Sequence, residues 1–274
     1  MSGTTTAARV QLRIAFERCP LCDHGAADVL GTASCARHPL YRPPLPEALR
    51  WLRCTACGHV FADGHFTDEA LAILFADANA AQLPGASVIG PQRLVSARIV
   101  ERVVQLRASS EGTWLDVGFG NGALLTTAAE FGFTAIGLDL RAQAVHRLAS
   151  LGIEAHCIPL ERFAPPRPVN VISFADVLEH MPFPRVALAR AHALLESDGL
   201  LFASMPNLDC FEWQALDVSG TNPYWGEIEH VHNFGRRRLH ALLRQHGFEP
   251  VSYAVSERYV AGMEIIARKG AVPA

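Results

Sequence analysis

Trp114-Leu115-Asp116-Val117-Gly118-Phe119-Gly120-Asn121-Gly122 reads as an apolar strand running into a glycine loop, with Ala123-Leu124-Leu125 opening a helix behind it. Glycines at a strand-to-helix turn let the backbone approach a ligand closely. The loop alone is ambiguous, because Gly118-x-Gly120-x-x-Ala123 also satisfies the dinucleotide fingerprint. Three neighbours tip the choice. Asp116 precedes the glycines, where its carboxylate would repel a pyrophosphate and welcome a cationic amino group. Asp139 ends the next strand, about 20 residues on, where a carboxylate can accept both hydroxyls of a ribose. A later apolar strand, 169–174, runs into Asp176-Val177-Leu178-Glu179-His180-Met181-Pro182.

Outward from this loop, strands and helices alternate. Strand 113–117 precedes helix 121–131, strand 134–139 precedes helix 141–151, and a short strand lies near 153–158. Strand 169–174 precedes a helix near 184–195, and strand 199–204 follows. Such alternation predicts a mostly parallel α/β sheet. Residues 206–233 read as a long connection rich in aromatics, histidines and acids. A helix over 235–246 ends at Gly247, and strand-like runs 249–256 and 259–268 read as a closing hairpin that sets an antiparallel strand in the sheet. Upstream, Thr67 has the character of an N-cap before Asp68, Glu69 and the apolar stripe of Leu71, Leu74 and Phe75. Residues 82–91 read as a loop, and apolar spacing from Gln92 to Leu106 predicts another helix.

These residues resemble the class I S-adenosylmethionine-dependent methyltransferases over roughly residues 90–270. The resemblance implies a Rossmann-like methyltransferase sheet, mostly parallel with the last strand antiparallel. It implies that Asp116 and the loop Gly118, Phe119, Gly120, Asn121 and Gly122 hold the methionine part of S-adenosylmethionine. Asp139, with Leu140 beside it, would hold the ribose; Pro159 and Leu160 would lie against the adenine; Phe174 and Ala175 would offer backbone near the methionine amine. Phe119 stands where the family commonly has Cys, Ala or Ser, so its ring must point away from the cofactor or shape its pocket.

The amino-terminal part carries Cys19-Pro20-Leu21-Cys22 and Cys54-Thr55-Ala56-Cys57. Each Cys-x-x-Cys puts two sulfurs on one turn, and two pairs complete a four-thiolate zinc site. Cys19, Cys22, Cys54 and Cys57 are therefore the expected Zn2+ ligands. The stretch between them, with Pro39, Pro43, Pro44 and Pro46, reads as an excursion in a loop-rich module. Cys35, Cys157 and Cys210 have no partner at ligand spacing, and Cys157 reads as core. The expected organisation is a zinc-binding module over 1–62, a helical connector covering the cofactor site over 63–110, and a methyltransferase domain over 111–274. Some bacterial relatives, sugar C-methyltransferases among them, carry a zinc-binding segment in this position.

Ligands bind at the carboxyl ends of parallel strands. The connections after strands 169–174 and 199–204 would therefore face the transferred methyl group. The first supplies His180; the second supplies Trp213, Tyr224, Trp225, Glu227, Glu229, His230 and His232. Methyl transfer to a hydroxyl or carbon acid needs alignment and removal of a proton, and a histidine is suited to both. His230, in a His-x-x-x-Phe run ending at Phe234, is the first candidate for a base or orienting group and His180 the second. Structural roles remain open for both. Glu227, Glu229, His230 and His232 also read as a possible second metal set, against the blander reading of a solvated turn. The aromatics read as pocket wall, lid or core, and Arg236-Arg237-Arg238 as a solvated helix face.

The chain of 274 residues has a net charge of −3 and a single lysine, Lys269, which argues against a basic nucleic-acid groove. Met1–Ala8 lacks the pattern of a signal peptide, and no apolar run reaches the length of a membrane span, so a cytoplasmic location is expected. The leading reading is O- or C-methylation of a small-molecule acceptor, such as a sugar or secondary-metabolite intermediate. The alternatives are an RNA methyltransferase that grips nucleic acid with its zinc module, a nicotinamide enzyme opposed by Asp116, and a non-catalytic zinc module.

Overall fold

The computed structural model describes residues 11–75, 83–84 and 89–273. In chain order it runs β1 (Arg13–Ala15), β2 (Ala27–Ser34), β3 (Ala48–Cys54), β4 (Val60–Ala62), β5 (Gly64–Phe66), α1 (Asp68–Leu74) and α2 (Ile89–Arg107). Then come β6 (Thr113–Val117), α3 (Ala123–Glu130), β7 (Thr134–Leu138), α4 (Ala142–Ser150), β8 (Glu154–His156), β9 (Val169–Ala175) and α5 (Pro184–Leu194). The chain closes with β10 (Leu195–Pro206), α6 (Phe211–Ser219), β11 (His232–Asn233), α7 (Arg236–Gln245), β12 (Phe248–Val255) and β13 (Gly262–Lys269).

Seven strands form the main sheet in the order β12-β13-β10-β9-β6-β7-β8. Pairings from β10 through β8 are parallel, and β13 runs antiparallel to both β10 and β12. Strand order reverses between β6 and β9, the place where ligands sit in open α/β sheets. Strand β6 is central, so its Trp114, Leu115, Asp116 and Val117 are all buried. The expected Rossmann-like sheet with a reversed last strand is therefore present.

Helix starts follow local chemistry. The Thr67 hydroxyl accepts from the Ala70 amide at 3.3 Å and caps α1, and Pro184 occupies the first turn of α5. Helix α2 begins three residues before the expected Gln92. Of the loop expected over 82–91, residues 82 and 85–88 lie outside the described residues, and 89–91 are helical. No described helix is long and apolar enough to cross a membrane.

The amino-terminal region is built from strands, which corrects the loop-rich reading. Strands β2 and β3 pair antiparallel, and the proline stretch is the connection between them. The four-stranded sheet runs β11-β4-β3-β2, so its edge strand comes from the 206–233 connection. There, His232 pairs with Phe61 and Asn233 with Val60. Burial joins the regions too. Cys19, Leu21, Cys54 and Phe61 belong to one core with Leu115, Phe174, Phe234 and Leu242. Ile228 of the connection is buried among Leu49, Trp51, Val60 and Phe66.

Candidate functional site

The glycine loop sits at the carboxyl end of β6. Asp116 is 1% exposed and lies opposite Ser173 of β9 and Gly137 of β7. Its Oδ1 accepts from Ser173 Oγ at 2.5 Å, while its Oδ2 is buried without a hydrogen-bond partner. Burial pushes the carboxyl up to about 7, against the opposing pull of the Ser173 hydroxyl and the Arg258 charge. Gly118, Gly120 and Gly122 all take positive φ, of 67°, 58° and 77°, a backbone shape that side-chain-bearing residues rarely adopt. The Asn121 carboxamide oxygen accepts from the Ala123 amide at 3.1 Å, and its NH2 donates to Gln92 of α2.

Phe119 turns into the second core cluster with Leu124, Leu125 and Leu148. Its ring lies over Gly137, where an added Cβ would approach Phe119 Cδ1 to 2.6 Å. Gly137 is thus required by the bulk of Phe119.

Asp139 is buried at the end of β7. Arg141 holds both its oxygens, with Nε 2.9 Å from Oδ1 and Nη2 2.8 Å from Oδ2. The Arg141 amide also donates to Oδ1 at 2.9 Å, and Nη2 reaches the Gly120 carbonyl at 3.2 Å. Sequence reasoning missed this arginine, although its place two residues past Asp139 is a usable signal. The Leu140 side chain is exposed. Pro159 precedes a short 3-10 turn, Leu160–Arg162, whose Leu160 is buried. Phe174 is fully buried and Ala175 half-buried at the end of β9.

Past β9 the chain turns at Asp176, a non-glycine residue at φ 58°. Three groups hold its carboxylate: Ser204 Oγ at 2.8 Å, Tyr259 OH at 2.8 Å and Arg258 Nη2 at 2.9 Å. The turn between β12 and β13 therefore folds back onto the end of β9. Arg258 and Tyr259 carry no spacing signal that would have revealed this.

His180 and His230 come together, with ring centroids 4.8 Å apart and planes at 75°. His180 Nδ1 lies 3.1 Å from the Glu229 carbonyl, which can only accept, so Nδ1 carries the proton and Nε2 the lone pair. His230 is 7% exposed, and its Nδ1 is buried with no partner. Burial, then the neighbouring His180 and His38, hold it well below the usual histidine range. Beside them Glu179 is buried with neither carboxylate oxygen partnered, and burial drives its acidity well down. The Glu179 carbonyl accepts from the amides of Val231 and His232 at 2.9 and 3.2 Å, which ties the two segments side by side.

His232 stands apart from this group. Its Nε2 donates to the Met181 carbonyl at 2.9 Å, and its Nδ1 accepts from His59 Nε2 at 3.0 Å. Both ring nitrogens are committed, and burial lowers it to about 4. His232 is a neutral bridge between the connection and the amino-terminal sheet.

The aromatics of the connection pack against one another. Trp213 stacks on Tyr224 at 5.0 Å and meets Trp225 edge-on at 5.3 Å. Trp51 of β3 donates its indole N–H to the Trp225 carbonyl at 2.8 Å. Glu227 pairs with His38 at 2.8 Å. Arg236 and Arg237 are exposed, and Arg236 lies 3.8 Å over the Tyr253 ring.

The four cysteines of the two pairs converge. Cys19 and Cys57 sulfurs are 3.7 Å apart, Cys22 and Cys54 sulfurs 3.5 Å, and all four lie within 4.8 Å of one another. A tetrahedral ion with bonds of about 2.3 Å asks for sulfur separations of about 3.8 Å. Cys157, expected in the core, is exposed, and Cys35 is buried on its own, with its thiol against the Pro46 carbonyl.

Residues 92–253 match the family model described as a methyltransferase domain, and the chain belongs to that family. Among curated proteins, it is 34% identical over 107 residues to a ubiquinone biosynthesis O-methyltransferase of Idiomarina loihiensis, covering 36% of this chain and 44% of that protein. The same-named protein of Nitrosomonas europaea is 33% identical over 106 residues, 36% of this chain and 45% of that one. The chain thus spans about half the length of the curated relatives it matches. Among solved structures, it resembles the Burkholderia thailandensis 1,6-didemethyltoxoflavin-N1-methyltransferase with bound 1,6-didemethyltoxoflavin and S-adenosylhomocysteine. That match has a TM-score of 0.55 and 20% identity over 80% of this chain and 99% of that one. It also resembles the magnesium protoporphyrin IX methyltransferase of Synechocystis with S-adenosylmethionine, with a TM-score of 0.53 and 14% identity over 75% and 98% of the two chains. At such identities these two show the fold alone.

Proposed function

We propose that this methyltransferase methylates an oxygen of a small-molecule acceptor, with His230 as the group that takes or orients the acceptor's proton. The observation that carries the reading is the contact of half-buried His180, just past the end of β9, with buried His230, whose Nδ1 is unpartnered. The curated relatives named as O-methyltransferases support oxygen over nitrogen or carbon.

S-adenosylmethionine, when bound, supplies an electrophilic methyl group. Asp116 with Gly118, Phe119, Gly120, Asn121 and Gly122 bounds its methionine part, the glycines through backbone and Asp116 through charge. Asp139 binds the ribose hydroxyls once Arg141 yields part of its hold, and Leu140 continues that wall. Pro159 and Leu160 flank the adenine; the backbone of Phe174 and Ala175 meets the amino group. The walls around the cleft would align an acceptor oxygen toward that methyl group, and the acceptor's proton would pass to His230. Cys19, Cys22, Cys54 and Cys57 hold a structural zinc ion, for which their separations are suited. The expected working unit is a zinc-binding region over 1–62, a connector over 63–110 and the catalytic domain over 111–274.

The test is replacement of His230 by Ala, with binding and turnover measured separately. Affinity for S-adenosylhomocysteine should stay within about threefold while turnover falls about 10²-fold, the scale of a lost proton-transfer group. Unchanged turnover would remove His230 from the mechanism and leave the cofactor assignment standing.

A further inference from the structure

We propose that Glu179, His180 and His230 form a binding site for a divalent transition-metal ion, separate from the four-cysteine cluster. One nitrogen from each histidine and one oxygen of Glu179 lie within 4.8 Å of one another. An ion about 2.1 Å from each ligand bridges atoms up to about 4.2 Å apart, so small side-chain rotations close the set.

The second observation is the state of Glu179. Its side chain is 1% exposed, and neither carboxylate oxygen has a hydrogen-bond partner. Buried carboxylates are ordinarily hydrogen-bonded, paired with a cation or bound to a metal. Arg258, whose charge acts on Glu179 from the β12–β13 turn, is engaged by Asp176 instead. His230 Nδ1 is orphaned beside it. A single cation resolves all of these at once.

The surroundings have the form that metal ligands need. A ligating histidine commonly donates its other ring N–H to a carbonyl, fixing tautomer and orientation. His180 does this through Nδ1 to the Glu229 carbonyl at 3.1 Å. The backbone is fixed as well, since the Glu179 carbonyl accepts from the amides of Val231 and His232, the two residues after His230. The ligands thus come from two segments already hydrogen-bonded to each other. The adjoining group of His38, Glu227 and Glu229 differs, because His38 and Glu227 already satisfy each other at 2.8 Å.

Two imidazoles and one carboxylate suit manganese, iron, cobalt, nickel or zinc better than magnesium or calcium, which prefer all-oxygen sites. Three protein ligands leave coordination positions open. In the small-molecule methylation proposed above, those positions would take the acceptor's oxygen and ease loss of its proton to solvent, with His230 orienting the acceptor through the ion. That last role rests on the proposed function; the cation site does not.

The test is cobalt titration of the full-length protein after mild chelation that leaves one equivalent of cysteine-bound zinc, verified by elemental analysis. Wild type should take up one cobalt ion with visible d–d bands and no thiolate charge-transfer absorption. Glu179→Gln and His180→Ala should each weaken uptake at least tenfold. His180 is only half-buried, so its variant guards against a fold lost with Glu179. S-adenosylhomocysteine affinity within threefold of wild type would show that each variant is folded. Absence of uptake by wild type, or undiminished uptake by folded His180→Ala, would overturn the site. Cobalt binding with no effect of the metal on methyl transfer would leave the site standing and remove its role in the reaction.

Discussion

Replacing Cys54 with Ser tests how the cysteine cluster acts on the catalytic half. Cys54 ends β3, is fully buried, and faces Cys22 at 3.5 Å. Structural zinc contributes about 10–16 kcal/mol in small metal modules, so losing one thiolate releases the ion or weakens it severely. Were this region a detached loop-rich module, the rest of the chain would not notice. The structure predicts otherwise. The 206–233 connection rests on it through the Ala62 amide to the Val231 carbonyl at 2.9 Å, the His59–His232 bond at 3.0 Å and the β4–β11 pairing. At about 1 kcal/mol net per hydrogen bond, three such bonds amount to about 3 kcal/mol of local stability. That corresponds to roughly 10²-fold faster opening of residues 229–234. Hydrogen exchange should therefore rise at 60–62 and at 231–233 together. Turnover should fall about 10²-fold while S-adenosylhomocysteine affinity holds within threefold. Complete zinc loss with unchanged protection at 231–233 would refute the coupling.

The other predictions concern the cofactor cleft and the bridge. Asp139→Ala should cost at least 10²-fold in S-adenosylhomocysteine affinity, since hydrogen bonds to a charged group contribute about 1.5–3 kcal/mol each; calorimetry within threefold of wild type would exclude the ribose role. Asp116 sits at about 7 because burial outweighs the Ser173 bond, and a cationic amino group needs its ionised form. Affinity should be flat above pH 7 and fall up to tenfold per pH unit below it, and Asp116→Asn should abolish that slope. His232→Ala should leave the pH profile of turnover unchanged but lower Tm, because both His232 nitrogens bridge structure; a shifted profile would return His232 to the chemistry.

The α/β half was legible because its signals are local. Buried central strands such as Thr113–Val117 are apolar runs, and the following helices start at glycine, proline or a capping residue. The glycine loop and the paired carboxylates Asp116 and Asp139 followed from the same runs. The amino-terminal sheet was harder to see, because Leu49-Arg50-Trp51 alternates buried and exposed positions as a half-buried strand should but Leu52 and Arg53 break the period. Short strands separated by turns and a proline excursion hide that period. Strand β11 had no signal of its own: two residues become a strand only because β4 offers an edge. Arg258 and Tyr259 were missed for a related reason, since their partner Asp176 draws them in through tertiary contacts, whereas the Arg141 signal, two residues past Asp139, was local and overlooked.

Why a catalytic domain should carry this amino-terminal region follows from where backbone groups find partners. Buried amide and carbonyl groups must be paired, and the run Val231–Phe234 is buried throughout. On one side Glu179 takes the amides of Val231 and His232. On the other, the Val231 carbonyl and the β11 backbone pair with Ala62, Phe61 and Val60. Without β4, that second side would face solvent or lie unpaired, and His230, one residue upstream, would lose its fixed approach to His180. His59 reinforces the arrangement, its ring lying between Phe61 at 6.0 Å and Phe234 at 5.0 Å while it donates to His232. The cysteine cluster anchors the end of β3 directly before the turn to His59. A metal held there fixes the turn, the turn fixes β4, and β4 fixes the segment that presents His230. With His230 in the role proposed for it, the amino-terminal region would be a wall of the acceptor site, and substitutions that loosen it should act on turnover before they act on cofactor binding.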